Sequence, residues 1–590
     1  MQIKINRNYI WSNILVDQLA ECGVKYACIS PGSRSTPLTY SISQNSKIKT
    51  FVHVDERSSG FFALGLAKKS NTPVIVITTS GTATAELYPA IIEAYQNRVP
   101  LIVCTADRPS YLRNTGANQT INQDNIYKNH IRFFYDTGLP DLTLKSIKKF
   151  KGSLIKAFDI ASRTDKGPVH FNLQFEKPLE PDSFTDSLEE KLLVETLAEE
   201  YSVNIKCKTN NQTKANINTL ISSLRKSDFG LITIGAGNFD RSFFRLINEC
   251  SLKFSLPVFA DATSGLRFNK DDFPNLITNY DSFLRSDNFI KAFHLKYIIH
   301  FGRPLTSPRF EKLTAKKSVK VFIANKFGDF RFNKAINFII DLNESALLEK
   351  LSAEKLTRDT GPFLYLIKDI DLMLKRLKNN ILFDTKKINE VQIISEVLNS
   401  IPPNSSVMVG NSVPIRDLDL LTSSLKKDIT IYQNRGASGI DGVISTASGI
   451  SSLSKTPMYL IIGDQSFYYD INSLLTIRKL KIPLLIVLIN NNCGAIFKFL
   501  PIAKHKNILD RYFLTPTNLD FSKIVQAFGI DYREIKTRQE LINHIKVSAV
   551  RKQPAVFEIK TNSDSSLSLR NKYWKMAELT IDNYLRKYEV

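Results

Sequence analysis

The residues whose types and spacing best suit chemistry are Asp464 and the run Asn490-Asn491-Asn492, in which Asn491 follows Asp464 by 27 positions. A carboxylate and side-chain amides offer the oxygen ligands that Mg²⁺ prefers, and protein-bound Mg²⁺ often shares its coordination sphere with phosphate groups. Gly463 precedes the acid, and a helix-like segment follows it. Because the start of a helix presents free backbone N–H groups to phosphate, the pattern predicts a site for a metal ion and a diphosphate.

Two short apolar segments lead to these residues, MYLII (458–462) and LLIVLI (484–489). Their length and aliphatic composition predict strands buried on both faces of a parallel sheet, with a crossover helix between them. Open α/β sheets bind ligands at the carboxyl ends of their strands. We therefore expect Asp464 and the asparagines to lie together at that edge. The alternative is a buried βαβ unit whose edge residues only cap helices.

Length and composition describe an ordinary globular protein. A chain of 590 residues exceeds one hydrophobic core, so two to four domains are expected. No run of 18 apolar residues occurs, so we expect no membrane span. The opening sequence, MQIKINRNYIWSNILVDQLAECG, predicts an amphipathic helix and lacks the apolar centre of a signal peptide, which favours a cytoplasmic protein.

The formal net charge of +22 is unusual, and it raises the question of nucleic-acid binding. The lysines are dispersed, however, and no basic run is interleaved with aromatic residues. We expect no nucleic-acid partner and interpret the charge as a positive field that helps to collect polyanionic small substrates. The six cysteines form no CxxC pair, which argues against both a zinc site and a disulfide framework.

Alternation of predicted strands and helices divides the chain into three α/β domains joined by less regular segments. A GxG pattern at Gly235-Ala236-Gly237 is too weak to predict a nucleotide site in the middle domain. The predicted boundaries are domains at 1–181, 212–350 and 386–565, with a linker at 182–211, a helical connector at 351–385 and a helical tail at 566–590.

The first and third domains repeat a pattern. Pro73 and Pro100 begin consecutive strands in the first domain, and Pro457 and Pro483 do so at nearly equal spacing in the third. A helix rich in small residues precedes each pair. Such a repeat predicts two similarly built domains on either side of a different one.

The spacing of Asp464 and Asn491, together with this repeat, resembles the thiamine diphosphate (ThDP)-dependent enzymes. The resemblance implies three doubly wound parallel-sheet domains, of which the first binds the aminopyrimidine and the third the diphosphate. The cofactor would bridge the two, usually from different subunits, so a homodimer or homotetramer is expected. ThDP and Mg²⁺ or Mn²⁺ would be the cofactors. The implied metal ligands are Asp464, Asn491 and the backbone carbonyl of Cys493. The implied cofactor-binding residues are Glu56, Ser80, Gly81, Ile440, Gly463, Asp464, Gln465, Ser466 and Asn491.

Glu56, in HVDERSSGFFALG, matches the family glutamate that hydrogen-bonds the pyrimidine ring and starts catalysis. A carboxyl group partly buried at a sheet edge has a raised pKa and can move a proton near neutrality. The alternative is a charge that only stabilises a helix N-terminus. Ile440 fits the large aliphatic residue that props the cofactor into its bent shape, although core packing is an alternative explanation.

Four loops indicate which group of ThDP-dependent enzymes the chain resembles. They are PGSRSTPL (31–38), ADRPSYLRNTGANQ (106–119), GNSVPIRD (410–417) and NRGASGIDG (434–442). Together they resemble the synthases that make 2-succinyl-5-enolpyruvyl-6-hydroxy-3-cyclohexene-1-carboxylate (SEPHCHC) in menaquinone biosynthesis. The resemblance implies decarboxylation of 2-oxoglutarate and conjugate addition of the remaining unit to isochorismate. Arginine suits such dianionic substrates because its planar fork matches carboxylates.

The resemblance assigns Ser412 and Arg416 to the succinyl carboxylate and places Arg435 near both substrates. It assigns to isochorismate Ser33, Arg34, Arg108, Asn118 and Gln119. An apolar wall would comprise Ile496, Phe497 and Leu500.

Two departures from the family pattern are visible. Where members commonly carry a lysine in the middle domain, this chain has Pro308-Arg309, so Arg309 is a candidate replacement for that contact. The usual Gly-Gly after the asparagines is Cys493-Gly494. Two other functions stay open: another ThDP-dependent 2-oxo acid decarboxylase or carboligase, and a non-catalytic homologue that kept the fold.

Overall fold

The structure is a computed structural model of the chain, and it describes residues 2–184, 186–189, 211–326, 331–332, 336–383 and 388–587. These residues form three six-stranded sheets, whose strands are all parallel, and one antiparallel pair of strands. Helices connect successive strands of each sheet. The predicted α/β class with parallel sheets is confirmed. We name the parts that contain the three large sheets the first, middle and third units.

The first unit begins at the amino terminus. Its strands and helices are β1 (Gln2–Ile5), α1 (Arg7–Glu21), β2 (Tyr26–Ile29), α2 (Thr36–Gln44), β3 (Lys49–Val52), α3 (Glu56–Ser70), β4 (Val74–Thr78), α4 (Thr82–Glu86), α5 (Tyr88–Gln96), β5 (Leu101–Asp107), β6 (Phe133–Asp136), α6 (Leu144–Asp159), β7 (Val169–Gln174) and β8 (Asp186–Glu189). The strand order in its large sheet is β3-β2-β4-β5-β7-β6.

The middle unit follows. It contains α7 (Asn211–Lys226), β9 (Gly230–Ile234), α8 (Arg241–Phe254), β10 (Val258–Ala260), β11 (Leu276–Ile277), α9 (Tyr280–Phe283), α10 (Asp287–Ala292), β12 (Tyr297–Phe301), α11 (Phe310–Thr314), β13 (Lys320–Ala324), β14 (Ile336–Ile340), α12 (Glu344–Ser352) and α13 (Pro362–Lys378). Its order is β11-β10-β9-β12-β13-β14, the arrangement of dinucleotide-binding folds. Gly235 lies so close to the backbone of Arg303 that an added Cβ would stand 1.6 Å from the Arg303 carbonyl oxygen, so the GxG turn serves close packing.

The third unit completes the chain. It contains α14 (Glu390–Ser400), β15 (Ser405–Val409), α15 (Val413–Leu421), β16 (Ile429–Tyr432), α16 (Val443–Ser452), β17 (Met458–Gly463), α17 (Asp464–Tyr469), α18 (Ser473–Leu480), β18 (Leu484–Asn490), α19 (Lys506–Tyr512), α20 (Phe521–Ala527), β19 (Asp531–Glu534), α21 (Arg538–Arg551), β20 (Ala555–Lys560) and α22 (Ser563–Lys587). Its order is β16-β15-β17-β18-β20-β19.

The first and third sheets have the same topology. If the six strands of each are counted along the chain, both sheets run second, first, third, fourth, sixth, fifth. The middle sheet has a different order. The repeat seen in the sequence therefore corresponds to a repeated fold.

The two repeated units pack on each other through their small-residue helices, α3 and α16. An added Cβ at Gly65 would stand 2.1 Å from the carbonyl oxygen of Thr446, and one at Gly449 would stand 2.1 Å from that of Phe62. Glycine is needed at both positions because the backbones touch there. One hydrophobic core continues from β4 and α3 of the first unit into α16 and β17 of the third.

Three other expectations can be compared with the structure. The amino terminus was predicted as helix throughout, which is wrong for residues 2–5: they form β1, which pairs with β8, and α1 begins at Arg7. The predicted linker contains β8, and the remainder of that linker, 190–210, lies outside the described residues. The predicted carboxyl-terminal helix is present as α22. The domain boundaries themselves stay predictions. Among the described residues, no helix is long and apolar enough to span a membrane.

Candidate functional site

Asp464 is the first residue of α17, directly after β17, and β17 pairs in parallel with β18, which ends at Asn490. Its side chain is buried, and burial raises the pKa of its carboxyl group to about 7, while backbone N–H groups including that of Asn492 oppose the rise. Oδ2 of Asp464 has no hydrogen-bond partner among the described residues. A buried carboxylate oxygen without a donor is costly, and a cation would compensate it.

Asn491 lies beside this acid in the turn after β18. Its Oδ1 accepts a hydrogen bond from the backbone N–H of Cys493 at 3.2 Å, and its Nδ2 donates to Oε1 of Glu390 at 3.4 Å. The carbonyl of Cys493 accepts from Ala495 at 2.8 Å and keeps a second lone pair. Carboxylate, amide and carbonyl oxygens form a donor set of the type that binds Mg²⁺, so the residues present fit the predicted metal.

The backbone next to these oxygens is open at Gly463. An added Cβ at Gly463 would meet no atom within 4 Å, so the chain leaves the start of α17 open. Ser466 donates from Oγ to the carbonyl oxygen of Ile440 at 2.6 Å, which places the Ile440 backbone at the same edge. Gln465 is turned away: its Nε2 donates to the carbonyl oxygens of Leu514 and Thr515 at 3.0 and 3.1 Å.

Glu56 lies at the carboxyl edge of the first sheet, as the first residue of α3. Asp55 caps that helix by accepting hydrogen bonds from the backbone N–H groups of Arg57 and Ser58 at 2.9 and 3.3 Å. The half-buried Glu56 side chain has a raised pKa because of burial, to which the charges of Asp55 and Glu86 add. Since Asp55 already serves as the cap, Glu56 is free for another role.

Ser80, Gly81 and Gln119 form one hydrogen-bonded group at this edge. Ser80 Oγ donates to the carbonyl oxygen of Gln119 at 3.0 Å, and Gln119 Nε2 donates back to the Ser80 carbonyl oxygen at 3.1 Å. Gly81 adopts φ 88°, and its N–H donates to Oε1 of Gln123 at 2.9 Å. The group therefore links the turn after β4 to the loop that follows β5.

Arg34 and Arg108 approach each other from the ends of β2 and β5. Arg34 is buried, donates to the carbonyl oxygen of Phe175 at 2.8 Å, and has a lowered pKa because of burial and then of the Arg108 charge. Nε of Arg108 is buried without a hydrogen-bond partner among the described residues. Two neighbouring guanidinium groups favour a bound anion. Ser33 and Asn118 are exposed nearby in the same two loops.

A second arginine pair lies at the edge of the third sheet. Arg416 donates from Nη1 to the carbonyl oxygen of Ser412 at 2.6 Å. Protein atoms around the guanidinium group lower the pKa of Arg416 by desolvation, although the side chain keeps a face open to solvent, and the charge of Arg435 lowers it further. Ser412 itself adopts φ 73°, at the start of α15. This edge, too, brings together positive charge suited to an anion.

The predicted apolar wall follows the turn after β18 that contains Asn491 and Cys493. Ile496 and Phe497 are half-buried in the short helical turn Ala495–Phe499, and the Phe497 ring lies 5.1 Å from that of Phe513. Leu500 is 46% exposed.

Arg309 is not brought together with the other predicted residues of the chain. The charged groups that shift its pKa are Arg285, Asp281, Asp287 and Glu578, in the middle unit and α22. Burial and Arg285 lower that pKa. A role for Arg309 in the site stays a prediction.

The two edges are linked within one chain. Nδ2 of Asn472, which follows α17, donates to Oδ2 of Asp55 at 3.1 Å. The guanidinium group of Arg57 lies 5.5 Å from the centre of the Tyr469 ring. The first turn of α3, which carries Glu56, therefore contacts the segment that follows Asp464.

Comparisons with known proteins agree with this geometry. The family model "Thiamine pyrophosphate enzyme, N-terminal TPP binding domain" matches residues 11–126, and "Thiamine pyrophosphate enzyme, C-terminal TPP binding domain" matches residues 423–559. Thiamine pyrophosphate is another name for ThDP. The two matched segments contain the Glu56 edge and the Asp464 edge.

Curated SEPHCHC synthases match nearly the whole chain. The Listeria innocua serovar 6a protein is 34% identical over 569 residues, which cover 95% of this chain and 96% of the relative. The Bacillus velezensis protein is 35% identical, with 95% of each chain covered. The Roseiflexus sp. protein is 32% identical, with 96% of this chain and 97% of the relative covered. The chain belongs to the SEPHCHC synthase family.

A solved structure supports the fold of this family member. Benzoylformate decarboxylase from Polynucleobacter necessarius superposes with a TM-score of 0.70 at 16% identity, covering 94% of this chain and 98% of that one. The predicted fold, three doubly wound domains of the ThDP-enzyme type, is confirmed. The chain is a ThDP-dependent enzyme by family, and the metal and the individual site residues stay predictions.

Sequence reasoning missed a buried charged cluster next to the turn that contains Asn491 in this SEPHCHC synthase family member. Arg570 in α22 forms a bidentate ion pair with Asp417 in α15 and lies 3.8 Å from Glu390, the partner of Asn491. All three side chains are buried. Burial raises the pKa of Glu390, although the charge of Arg570 opposes the rise. No local sequence pattern predicts this cluster, because its members come from three different helices.

Sequence reasoning also missed Gln123, which is fully buried in the first unit. Besides accepting from Gly81, it donates from Nε2 to the carbonyl oxygen of Ala106 at 3.3 Å and to Oδ1 of Asn172 at 2.9 Å. It thus fixes the turn that carries Gly81. The signal for it would have been a lone glutamine in the loop next to Asn118-Gln119.

Proposed function

We propose that this chain is a SEPHCHC synthase that decarboxylates 2-oxoglutarate and adds the remaining four-carbon unit to isochorismate, in menaquinone biosynthesis. ThDP, when bound, would supply the electron sink that makes the decarboxylated carbon nucleophilic. Mg²⁺ or Mn²⁺ would join its diphosphate to Asp464, Asn491 and the Cys493 carbonyl. We expect the enzyme to work in the cytoplasm. It needs no nucleic-acid partner for this reaction.

The observation that carries the proposal is the pair of arginines at each sheet edge. Arg34 lies beside Arg108 on one edge, and Arg416 lies beside Arg435 on the other. Neighbouring positive charges repel each other, and the charges of Asp107 and Asp417 oppose that repulsion. A bound anion would compensate the positive charge further. Both proposed substrates are dianions, so each pair has a substrate carboxylate to bind. A simple decarboxylase acting on one monoanionic substrate would need neither pair.

The chain's own residues have distinct roles in this reaction. Arg416 and Ser412 bind the carboxylate of the succinyl part, and Arg34 and Arg108 orient isochorismate. Glu56 holds a proton at the pyrimidine ring, where its raised pKa suits proton exchange near neutrality. Ile496, Phe497 and Leu500 keep water from the reacting carbon.

The test is incubation of the purified chain with ThDP, Mg²⁺ and 2-oxoglutarate, with and without isochorismate. The proposal requires an adduct, detected by mass spectrometry, only when both substrates are present. Rapid CO₂ release from 2-oxoglutarate alone would support the alternative of a simpler 2-oxo acid decarboxylase. Cofactor binding without either product would support a non-catalytic homologue.

We further propose a homodimer, or a homotetramer built from such dimers, with each site formed by Glu56 of one subunit and Asp464 of another. Co-expression of Glu56→Gln and Asp464→Ala subunits tests this arrangement. A mixed dimer would contain one intact site and one doubly altered site, so activity should return to about a quarter of the wild-type value if the subunits pair at random. No recovery in a verified mixed dimer would place both residues in a single chain's site.

A further inference from the structure

The loop at 433–442 of the third unit carries Arg435 and Ile440, and a carboxylate from the first unit holds its middle. Oε1 of Glu93, in α5, accepts a hydrogen bond from the backbone N–H of Gly436 at 2.9 Å, and Oε2 accepts one from Ala437 at 2.7 Å. Glu93 is only 3% exposed. Hydrogen bonds from backbone N–H groups to a buried carboxylate are among the stronger ones in proteins.

The loop also packs directly against α5. An added Cβ at Gly436 would stand 2.7 Å from the carbonyl oxygen of Glu93 and 2.9 Å from its Oε2. A side chain at position 436 would therefore push the loop away. The glycine next to Arg435 permits the close approach on which both hydrogen bonds depend.

Lys68, in α3, holds the beginning of the same loop. Its Nζ donates to the carbonyl oxygen of Gln433 at 2.5 Å and to Oδ1 of Asn434 at 2.7 Å, and it lies 3.9 Å from Oε1 of Glu93. Asn97 also donates to Oε1 of Glu93, at 2.5 Å. Glu93 is thus fixed by two side chains of its own unit while it binds the backbone of the other.

Side chains of the third unit hold the loop near Asn434 and from Gly439 onward. Ser466 donates to the carbonyl oxygen of Ile440, and Thr446 accepts from Asn434 and donates to the carbonyl oxygen of Gly442. Nδ2 of Asn411 donates to the carbonyl oxygens of Asn434 and Gly439, at 2.7 and 2.6 Å. Between these anchors lie residues 435–438, and Glu93 is the described side-chain partner of the backbone N–H groups of Gly436 and Ala437. The position of Arg435 therefore depends on a residue of the first unit.

We propose that Glu93 is a positioning residue, which acts through the 433–442 loop to hold Arg435, and with it Ile440, in the geometry that the reaction needs. The inference rests on the proposed function, since it takes the substrate role of Arg435 from there. It adds a specific dependence: the anion-binding edge of the third unit is set by a carboxylate of the first unit in the same chain.

Glu93→Gln is the variant that tests this role. Glutamine keeps the size of the side chain, but its NH₂ group faces a backbone N–H, so one of the two loop hydrogen bonds is lost together with the charge. Glu396→Gln is the matched control. Glu396 is also a buried glutamate, its partner is Arg538 at 2.7 Å, and it makes no described contact with the loop.

Limited trypsin digestion of the folded protein measures the loop without any need for activity. Trypsin can cleave after Arg435 only when the 433–442 loop separates from α5. We expect cleavage at 435–436 to be at least about tenfold faster in Glu93→Gln than in the wild type or in Glu396→Gln, because a charge-assisted hydrogen bond is lost. Equal rates in all three proteins would overturn the proposal.

Steady-state kinetics supply the second measurement. We expect the KM for 2-oxoglutarate to rise about tenfold in Glu93→Gln, with a smaller fall in kcat and with ThDP retention close to that of the control. An equal rise in KM in Glu396→Gln would show general destabilisation and would also overturn the proposal. If Glu93→Gln does not fold, Lys68→Gln takes its place and should change cleavage and KM in the same direction.

The two proposals can fail separately. Faster cleavage in Glu93→Gln, with no SEPHCHC formed by the wild type, would support the loop contact and reject the proposed function. An active wild type whose cleavage and KM do not respond to Glu93→Gln would reject the positioning role alone.

Discussion

The first and third units have the same strand order, yet different residues lie at their two sheet edges. After the first strand of each sheet the two are similar: Ser33 and Arg34 follow β2, and Ser412 and Arg416 follow β15. After the third strand they differ. Gly81 follows β4 at a site bounded by Gln119, whereas the open Gly463 precedes the buried Asp464 at the end of β17.

The difference shows what a repeated fold does and does not determine. The topology sets which turns meet at an edge, so both edges collect a serine and an arginine suited to anions. The turn residues decide the rest. The third unit offers Oδ2 of Asp464, a buried oxygen without a described donor, while the first offers a carboxyl group, Glu56, with a raised pKa and no described set of metal ligands around it. The two units therefore present different chemical groups at equivalent edges of the same fold.

The largest expected effect comes from the acid of the first unit. Glu56→Gln should lower turnover by about 10² to 10⁴, the usual contribution of a group that transfers a proton in catalysis. ThDP binding, measured by calorimetry, should change only a few-fold because the diphosphate is held at the other edge. Glu86→Gln is the control, since Glu86 is exposed and affects Glu56 only through its charge. A fully active Glu56→Gln enzyme would remove Glu56 from the mechanism.

The acid of the third unit should show the opposite behaviour. Asp464→Asn should weaken Mg²⁺-dependent ThDP retention by more than about 100-fold, beyond the effect usual for residues that only support metal ligands. Asp470→Asn is a sharp control, because Asp470 is buried in the same segment but both its oxygens accept hydrogen bonds, from Ser445 and Ser473. That variant should lose stability and keep its Mg²⁺ dependence. Equal ThDP retention in Asp464→Asn and the wild type would contradict the metal assignment.

Sequence patterns were sufficient for the parts of this comparison that depend on neighbouring parallel strands. Asp464 and Asn491 could be placed together because MYLII and LLIVLI are buried, consecutive strands, and the repeat of prolines and small-residue helices showed that two units were alike. The glycines of α3 and α16 prove to be contacts between those units.

Long-range contacts could not be predicted in the same way. Glu93 meets Gly436 across 343 positions, and Arg570 reaches Asp417 from the terminal helix, to which the sequence assigned no role. In both cases the residue lies on an unremarkable helix, and only the packing of whole units creates the contact. The strand β1 was missed because QIKI has too few residues to show a period and pairs with a segment far along the chain.

The two arginine pairs allow a more detailed test of how the edges share the substrates. Arg416→Met should raise the KM for 2-oxoglutarate and Arg34→Met the KM for isochorismate, each by about tenfold to a hundredfold, as expected for loss of a charge-assisted hydrogen bond. Each variant is the control for the other, because its second substrate should be affected much less. If both variants raise both KM values equally, the edges do not divide the substrates as proposed.

The smallest effect concerns the contact between the first and third units. There, Nδ1 of His53 in the first unit lies 3.3 Å from Oγ1 of Thr476 in the third. Burial lowers the pKa of His53 to about 4, and Asp55 only partly opposes this. In the unfolded chain its pKa would be near 6.5, so unfolding takes up a proton between those values. Stability contributed by neutral His53 is therefore complete above about pH 6.5 and is lost as the pH falls towards 4, by about 1.4 kcal/mol per pH unit.

Urea unfolding curves measured from pH 7 to pH 4.5 give the free energy of unfolding at each pH. In His53→Gln that free energy should depend less on pH, by the uptake of about one proton on unfolding. His170→Gln is an informative companion, since His170 is buried inside the first sheet, where burial lowers its pKa to about 3. If the first and third units unfold together through their common core, both variants flatten the slope of one transition. If the His53 contribution appears in a separate, earlier transition, the contact between the first and third units is lost before either sheet unfolds. The two units would then be more independent than their shared core implies.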